Sequence, residues 1–303
     1  GDITIYAGGN AVIGSDLGVT PTISTTVGDI TVAAMDNMEV YQTTFAAPAV
    51  GNDVSIFGGN ELYIVDSAVG TAVTPIGQDV IVGYHETDTG SVFYTDYAEV
   101  DTVDMYAGRT IEVYADQEAG IYDSTLDAES DIYAEIVNGM LYLEDSVLTA
   151  EDDGIQLLSF NGSIWSDGTT FTANDSGADG GGDVDVEASD SVVLDDTVLA
   201  NDDVTVSTND GDVTVDGDVT AQQGDVTVES GRDFTQASGQ ILATAGGVGI
   251  SAVGDVTVID VVANANNIAY TNPVTGAADT AAIKIDADGD VSVNAGGSAL
   301  GLD

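Results

Sequence analysis

The sequence predicts an all-β chain, wound over residues 1–303 as one right-handed, three-faced parallel β-helix (a β-solenoid). Three observations predict it. Apolar residues return at intervals of roughly 20–22 residues, each return lies in a short stretch of apolar/polar alternation, and Gly, Asp and Asn separate these stretches with no helical pattern between them. Strands this short bury no face alone. Wound so that successive repeats pair in parallel, they enclose a common apolar interior. The right hand follows the general preference of parallel crossovers.

The period is cleanest from residue 182 onward, where the lines begin GDVDVEASDS, DDVTVSTNDG, GDVTVESGRD and GGVGISAVGD. One column holds Val184, Val204, Val226 and Val248; a second holds Val192, Val213, Phe234 and Val256; a third holds Val198, Val219, Ile241 and Val262. The third column reaches back through Phe171 and Val147 to Leu126, with wider intervals that mark loops inserted at a corner. GDITIYAGGN (1–10), GDITVAAMDN (28–37), NDVSIFGGN (52–60) and VDMYAGRT (103–110) read as one recurrent first strand, followed by second strands such as MEVY (38–41) and IEVY (111–114). Pro21, Pro48 and Pro75 mark one recurrent loop corner, because proline is excluded from central ladders. The chain thus divides into irregular rungs over 1–181, which hold most of the tyrosines, and regular rungs over 182–303 with a loop near 267–283. About 12 rungs of roughly 20–28 residues, at ~4.8 Å each, make a rod of order 60 Å.

Residues 289–303 (GDVSVNAGGSALGLD) match residues 1–16 (GDITIYAGGNAVIGSD), so both ends read as ordinary rungs without caps. An uncovered rung is an open strand edge that templates pairing. The expectation is a segment of a longer polypeptide or a subunit joined head to tail to its own kind, with Gly1, Asp2, Ile3, Thr4, Ile5, Val291, Val293 and Leu300 at the joints.

Three basic residues, Arg109, Arg232 and Lys284, stand against 53 acidic ones, a net charge of −50. Such a surface repels nucleic acid and anionic membranes and attracts cations, and no stretch has the length of a membrane-spanning helix. Aspartates on neighbouring rungs ~5 Å apart repel by roughly 0.8 kcal/mol per pair in water, so a salty or calcium-bearing medium is expected. No cofactor is required by the pattern. Calcium is the candidate ion, since hard carboxylate ligands cluster at Asp210, Asp212, Asp216 and Asp218 and at Asp286, Asp288 and Asp290.

The Gly-Asp-Val-Thr-Val lines at a period near 20 residues resemble the filamentous haemagglutinin class of secreted bacterial β-helices, clearly over about residues 182–266 and loosely elsewhere. That resemblance implies a right-handed β-helix at the cell surface or outside the cell, acting as an adhesin, matrix or surface fibre. The leading functional expectation is therefore an extracellular structural protein. A glycan- or surface-binding module is the alternative: Tyr6, Tyr41, Phe57, Tyr106 and Tyr114 all point outward if Ile5, Val40, Ile56 and Val113 point in. A carbohydrate-active enzyme is a weaker reading, because three scattered basic residues and one histidine, His85, offer little for acid–base chemistry on an acidic polymer. Asn161-Gly-Ser163 and Asn174-Asp-Ser176 fit the glycosylation sequon.

Overall fold

Each turn of the chain lays one strand on each of three faces. The computed structural model describes residues 1–14, 20–86, 91–175, 181–264, 268–271 and 278–293. Face one runs from Ile3–Ala7 through Ile30–Ala34, Val54–Gly58 and Val80–Val82 to Ile283–Ala287; its twelve parallel strands mark about eleven turns. Face two begins at Ala11–Ile13 and ends at Val291–Val293, and face three runs from Thr22–Ser24 to Val261–Ala263. Ile164–Ala173 and Val192–Ala200 turn the corner between faces two and three without ending the strand, with a register irregularity between Asp167 and Thr170. Two antiparallel hairpins leave the winding, Tyr84–Glu86 with Val92–Tyr94 and Ile268–Thr271 with Ala278–Ala281; the second occupies the stretch expected as a loop.

Alternation decides what faces in. Along Val184–Ala188 and Val204–Thr208 every other residue is buried, and Val184 lies over Val204, Val226 and Val248 in register. The second column, Val192, Val213, Phe234 and Val256, is likewise continuous. These stacks join into a single aliphatic core running the length of the described solenoid. Burial of a Val or Ile contributes about 1.5–3 kcal/mol, and here each such residue also abuts its counterparts one rung above and below.

The three Asp-Val-Thr copies of residues 211–228 turn out to be three different faces. Val213 is on face two, Val219 on face three and Val226 on face one of the next turn. The pentapeptide is therefore a corner-plus-strand unit and carries no information about which face it builds. The fold departs from the sequence-based expectations at four points. GDVSV at 289–293 pairs with Val256–Val258 on face two, whereas GDITI at 1–5 is on face one, so the two ends are not the same rung segment. VDMY lies on face three, and IEVY lies on face one, where it follows Val80–Val82. In the third column Leu148, not Val147, lies between Leu126 and Phe171, and Ile241 lies over Val261, not Val262. Where two adjacent residues are both β-branched or aliphatic, alternation alone leaves the phase open by one. Finally, Pro48 and Pro75 both follow face-three strands and share one corner, whereas Pro21 precedes its face-three strand and sits at another.

The corrected phase is testable by chemical denaturation. Leu148 is fully buried and Val147 is 42% exposed. Leu148→Ala is expected to lower the unfolding free energy by about 2–5 kcal/mol and Val147→Ala by less than about 1 kcal/mol. Equal losses at the two positions would overturn the assignment.

Candidate functional site

The acidic corner residues have a structural task. At the start of face one each aspartate accepts the backbone N–H of its counterpart on the next rung: Asp29 Oδ1 from Asp53 (3.0 Å), Asp53 Oδ1 from Asp79 (3.1 Å), Asp183 Oδ1 from Asp203 (2.8 Å) and Asp203 Oδ1 from Asp225 (2.6 Å). A second ladder opens face two, where Asp233 N–H donates to Asp212 (3.2 Å), Asp255 to Asp233 and Asp290 to Asp255 (both 2.8 Å). A parallel strand leaves the N–H at its corner without a ladder partner, and a carboxylate one rung away supplies it. This is why an acid precedes the first inward valine so regularly. The cost is like charge at rung spacing. Burial, followed by neighbouring carboxylates, raises the pKa of Asp53 and Asp183 above the usual range, although the bonds from the next rung's N–H groups work against it.

All three basic residues answer this charge. Arg109 makes a two-pronged ion pair with buried Asp79, its Nε at 2.7 Å from Oδ1 and its Nη2 on Oδ2. Arg232 lies 3.7 Å from Asp212 and Lys284 3.4 Å from Asp286.

The corner between faces two and three is built differently. Gln42, Asp66, Thr102, Asp123 and Asp145 take left-handed backbone conformations there, with φ of 47–54°. The residue after each points inward, and in four of the five it is a hydroxyl. Ser124 Oγ donates to Tyr122 C=O (2.6 Å) and accepts Val103 N–H (3.0 Å); Ser146 Oγ donates to Glu144 C=O (2.9 Å) and accepts Ser124 N–H (3.1 Å). The chain of hydroxyls ends at buried Asp196, which accepts Thr169 N–H at 2.7 Å and the Ser166 hydroxyl. Burial pushes its carboxyl up to about 6 against the lowering effect of those two bonds. Beyond it Gln236 takes over inside the core. Its Oε1 accepts Ile259 and Asp260 N–H, and its Nε2 donates to Gly239 and Asp260 C=O, which satisfies the amide fully.

A groove of about 610 Å³ lies on the outside of face one, bordered by Glu112, Tyr114, Asp131, Tyr133, Asp183 and Asp185. Burial raises the pKa of all four carboxyls. Tyr114 and Tyr133 donate to Glu112 (3.0 Å) and Glu135, and burial with these carboxylates pushes both phenols well above the tyrosine range. Aromatic rings continue the groove: Tyr84, Tyr94, Tyr114 and Tyr133 lie 5.3–5.9 Å apart in a contiguous set.

No family model, curated protein or solved structure matches the chain. The site is therefore read from its own geometry.

The expected aromatic surface divides among three faces. Tyr6 and Phe57 share one face-one column, with Ala33 between them. Tyr114 is on face one further along, Tyr41 on face two and Tyr106 on face three, because MEVY, IEVY and VDMY belong to different faces. The outward direction holds for all five. Phe57 is nevertheless buried, under the stacked ring of His85.

Of the acids named as calcium ligands, Asp212 and Asp218 accept N–H groups of Asp233 and Gln240 from the next rung, and Asp290 N–H donates to Asp255. Asp210 and Asp216 lie at neighbouring corners, Asp286 on outer face one and Asp288 just after it. Among the described residues no three carboxylate or imidazole groups converge as a metal cluster. Asn161 is exposed and its amide bonds Val137 C=O (2.9 Å) and Asn138 (3.2 Å), while Asn174 bonds Glu151 (3.2 Å). Gly1 C=O accepts the Thr25 hydroxyl and Asp2 the Asp29 N–H; Thr4 pairs with Thr31, and Leu300 lies outside the described residues.

The upward-shifted carboxyls give pH dependence an unusual sign. In the 4–6 window folded Asp196 holds a proton that the unfolded chain, titrating at the ordinary aspartate value of 3.8, has released. Stability is then present at the low end of the window and lost as pH rises through about 6. Denaturant midpoints are expected to rise as pH falls from 7 to 5, and Asp196→Asn to remove a part of that rise worth about 1 kcal/mol. A parent midpoint that falls over that range would contradict this.

The ladders predict a second contrast. Asp203→Ala removes the acceptor of Asp225 N–H and is expected to cost about 1 kcal/mol or less, whereas Asp203→Asn keeps an oxygen there and sheds a charge. At low salt the Asn variant should melt at or above the parent, with the gap closing as NaCl is added. A parent more stable than Asp203→Asn at every ionic strength would count against repulsion as the dominant effect.

Proposed function

We propose that the chain is a structural rod, a β-solenoid segment or subunit of an extracellular filament, sheath or giant surface protein. One observation carries the reading. The core, the strand ladders and the carboxylate ladders all run along a single axis, so each rung presents to the next the surface it received from the last. Such a body resists extension by many hydrogen bonds loaded together, and it adds length without needing a new fold. The outer edge of Ile3–Ala7, whose backbone groups face away from Ile30–Ala34, is an edge on which either a further rung of the same polypeptide or another subunit can pair. Cations of the medium, calcium included, screen the acidic rows and leave them soluble. The localisation follows from this reading and from the resemblance to secreted β-helices.

A second reading, attachment to glycans, is favoured by the outward rings of the first half, including Tyr142 and Trp165 edge to face at 6.2 Å on face two. It requires no change in the first.

Electron microscopy of the 303-residue chain in high salt tests the rod. Eleven rung spacings make roughly 50 Å, and the expected images are stiff particles lengthening in steps of that size as concentration rises. Ile5→Lys, which places a charge against the joint, should return them to single length. Unit-length particles at every concentration would remove self-joining from the proposal.

A further inference from the structure

The hairpin Tyr84–Tyr94 makes a cleft that the repeats alone do not provide. Face one's outward column reads Tyr6, Ala33, Phe57 on the first three rungs. Ala33 has only a methyl group, so the rings of Tyr6 and Phe57 stand on either side of a gap. On the fourth rung the chain leaves the winding at Gly83, where φ is +78° and an added Cβ would strike the Tyr114 carbonyl. The two arms pair antiparallel with His85 opposite Phe93. His85 stacks on Phe57 at 5.3 Å and 29°, and Tyr94 is held from behind by Tyr84 and Tyr114. The result is a cleft of about 240 Å³ lined by Tyr6, Met35, Phe57, Gly59, His85, Phe93 and Tyr94. Its mouth is open, with Tyr6 59%, Met35 44% and Phe93 44% exposed.

Among the described residues, five aromatic rings, a thioether and Gly59 line this space, and no carboxylate does. In a chain of net charge −50 that is a pointed exception. Ring faces carry the negative end of the aromatic quadrupole and attract a cation without donating or accepting hydrogen bonds. A primary ammonium or a metal ion is better served by the carboxylates that cover the rest of the surface. A quaternary ammonium, which has no N–H and sheds water readily, is better served by rings. The field of the whole molecule raises the local concentration of any cation. It also disfavours a cation that carries its own anion, and the Lys and Arg side chains, Arg109, Arg232 and Lys284, are paired with Asp79, Asp212 and Asp286 away from the lining.

We propose that this cleft is an aromatic cage for a small soluble quaternary ammonium compound of the choline type. Rings of Tyr6, Phe57, Phe93 and Tyr94 surround the trimethylammonium group, and the ligand's tail leaves through the open mouth.

The test uses the full chain and follows the N-methyl proton resonance of choline by NMR, with 3,3-dimethyl-1-butanol as the neutral isostere and phosphocholine as the anion-bearing form. Choline is expected to saturate with an upfield ring-current shift, and both comparators to bind roughly ten-fold or more weakly. Tyr6→Leu and Phe93→Leu, both at exposed positions, keep apolar volume while removing rings. Each should weaken choline several-fold at an unchanged melting temperature and leave the isostere unaffected. Equal binding of choline and the isostere would reduce the cleft to an apolar pocket and overturn the proposal. So would tighter binding of phosphocholine, or the absence of a saturable choline shift.

Discussion

A solenoid satisfies its backbone only along one direction, because each strand's N–H and C=O groups are met by the strand one rung above and one rung below. Every other feature of this chain depends on that constraint. It forces like to lie over like: Val184 over Val204 over Val226, and Asp183 over Asp203 over Asp225. Inside, repetition helps, since stacked apolar side chains continue one core from rung to rung. At the corners repetition brings carboxylates within a rung spacing of one another, and the fold accepts it because each of those carboxylates also completes a backbone hydrogen bond. The acidity is thus in part a backbone device. Solubility and affinity for cations come with it.

The architecture was readable in the sequence because a period near 20 residues and an alternation of two are both visible in GDVTV lines, and the first two columns of the regular half were placed residue for residue. What the same lines conceal is which face they build. A corner aspartate serves face one at Asp203 and face two at Asp233, and the strands that follow have the same inward–outward order. Hence GDVSV near the carboxyl end looks like GDITI at the amino end although they occupy different faces. Single-residue slips arise where outward positions are apolar, as at Val147 and Val262, since periodicity then loses the contrast on which it rests.

The corner between faces two and three was not readable, and its chemistry shows why. Its hydroxyl ladder uses Thr43, Ser67, Ser124 and Ser146, residues that look in sequence like ordinary polar turn formers. Their inward direction follows from the left-handed residue before each one, and no residue type marks that conformation: Gln, Asp and Thr all adopt it here. The aromatic candidates fared similarly. Their outward direction followed from alternation, but their grouping depended on face assignment, and the ring that covers Phe57 comes from a hairpin whose length breaks the period. The signal for that hairpin was present in YHETDTGSVFY, two arms with aromatic residues separated by Thr-Asp-Thr-Gly, residue types favoured in turns.

Repeats and insertions therefore divide the work. A rung must resemble its neighbours in order to pair with them, and any side chain placed on it tends to be copied along the axis or to stand beside a near copy. Such surfaces are suited to extended, repeated contacts. A site of distinct chemistry needs a segment released from that requirement, and the chain has one where Gly83 turns the strand away from the fifth rung and the hairpin folds back over the third. There the molecule's one histidine, two phenylalanines and two tyrosines meet around a small space that, among the described residues, no carboxylate lines. Departures from the period, rather than the period itself, are where individuality in a protein of this kind is to be sought.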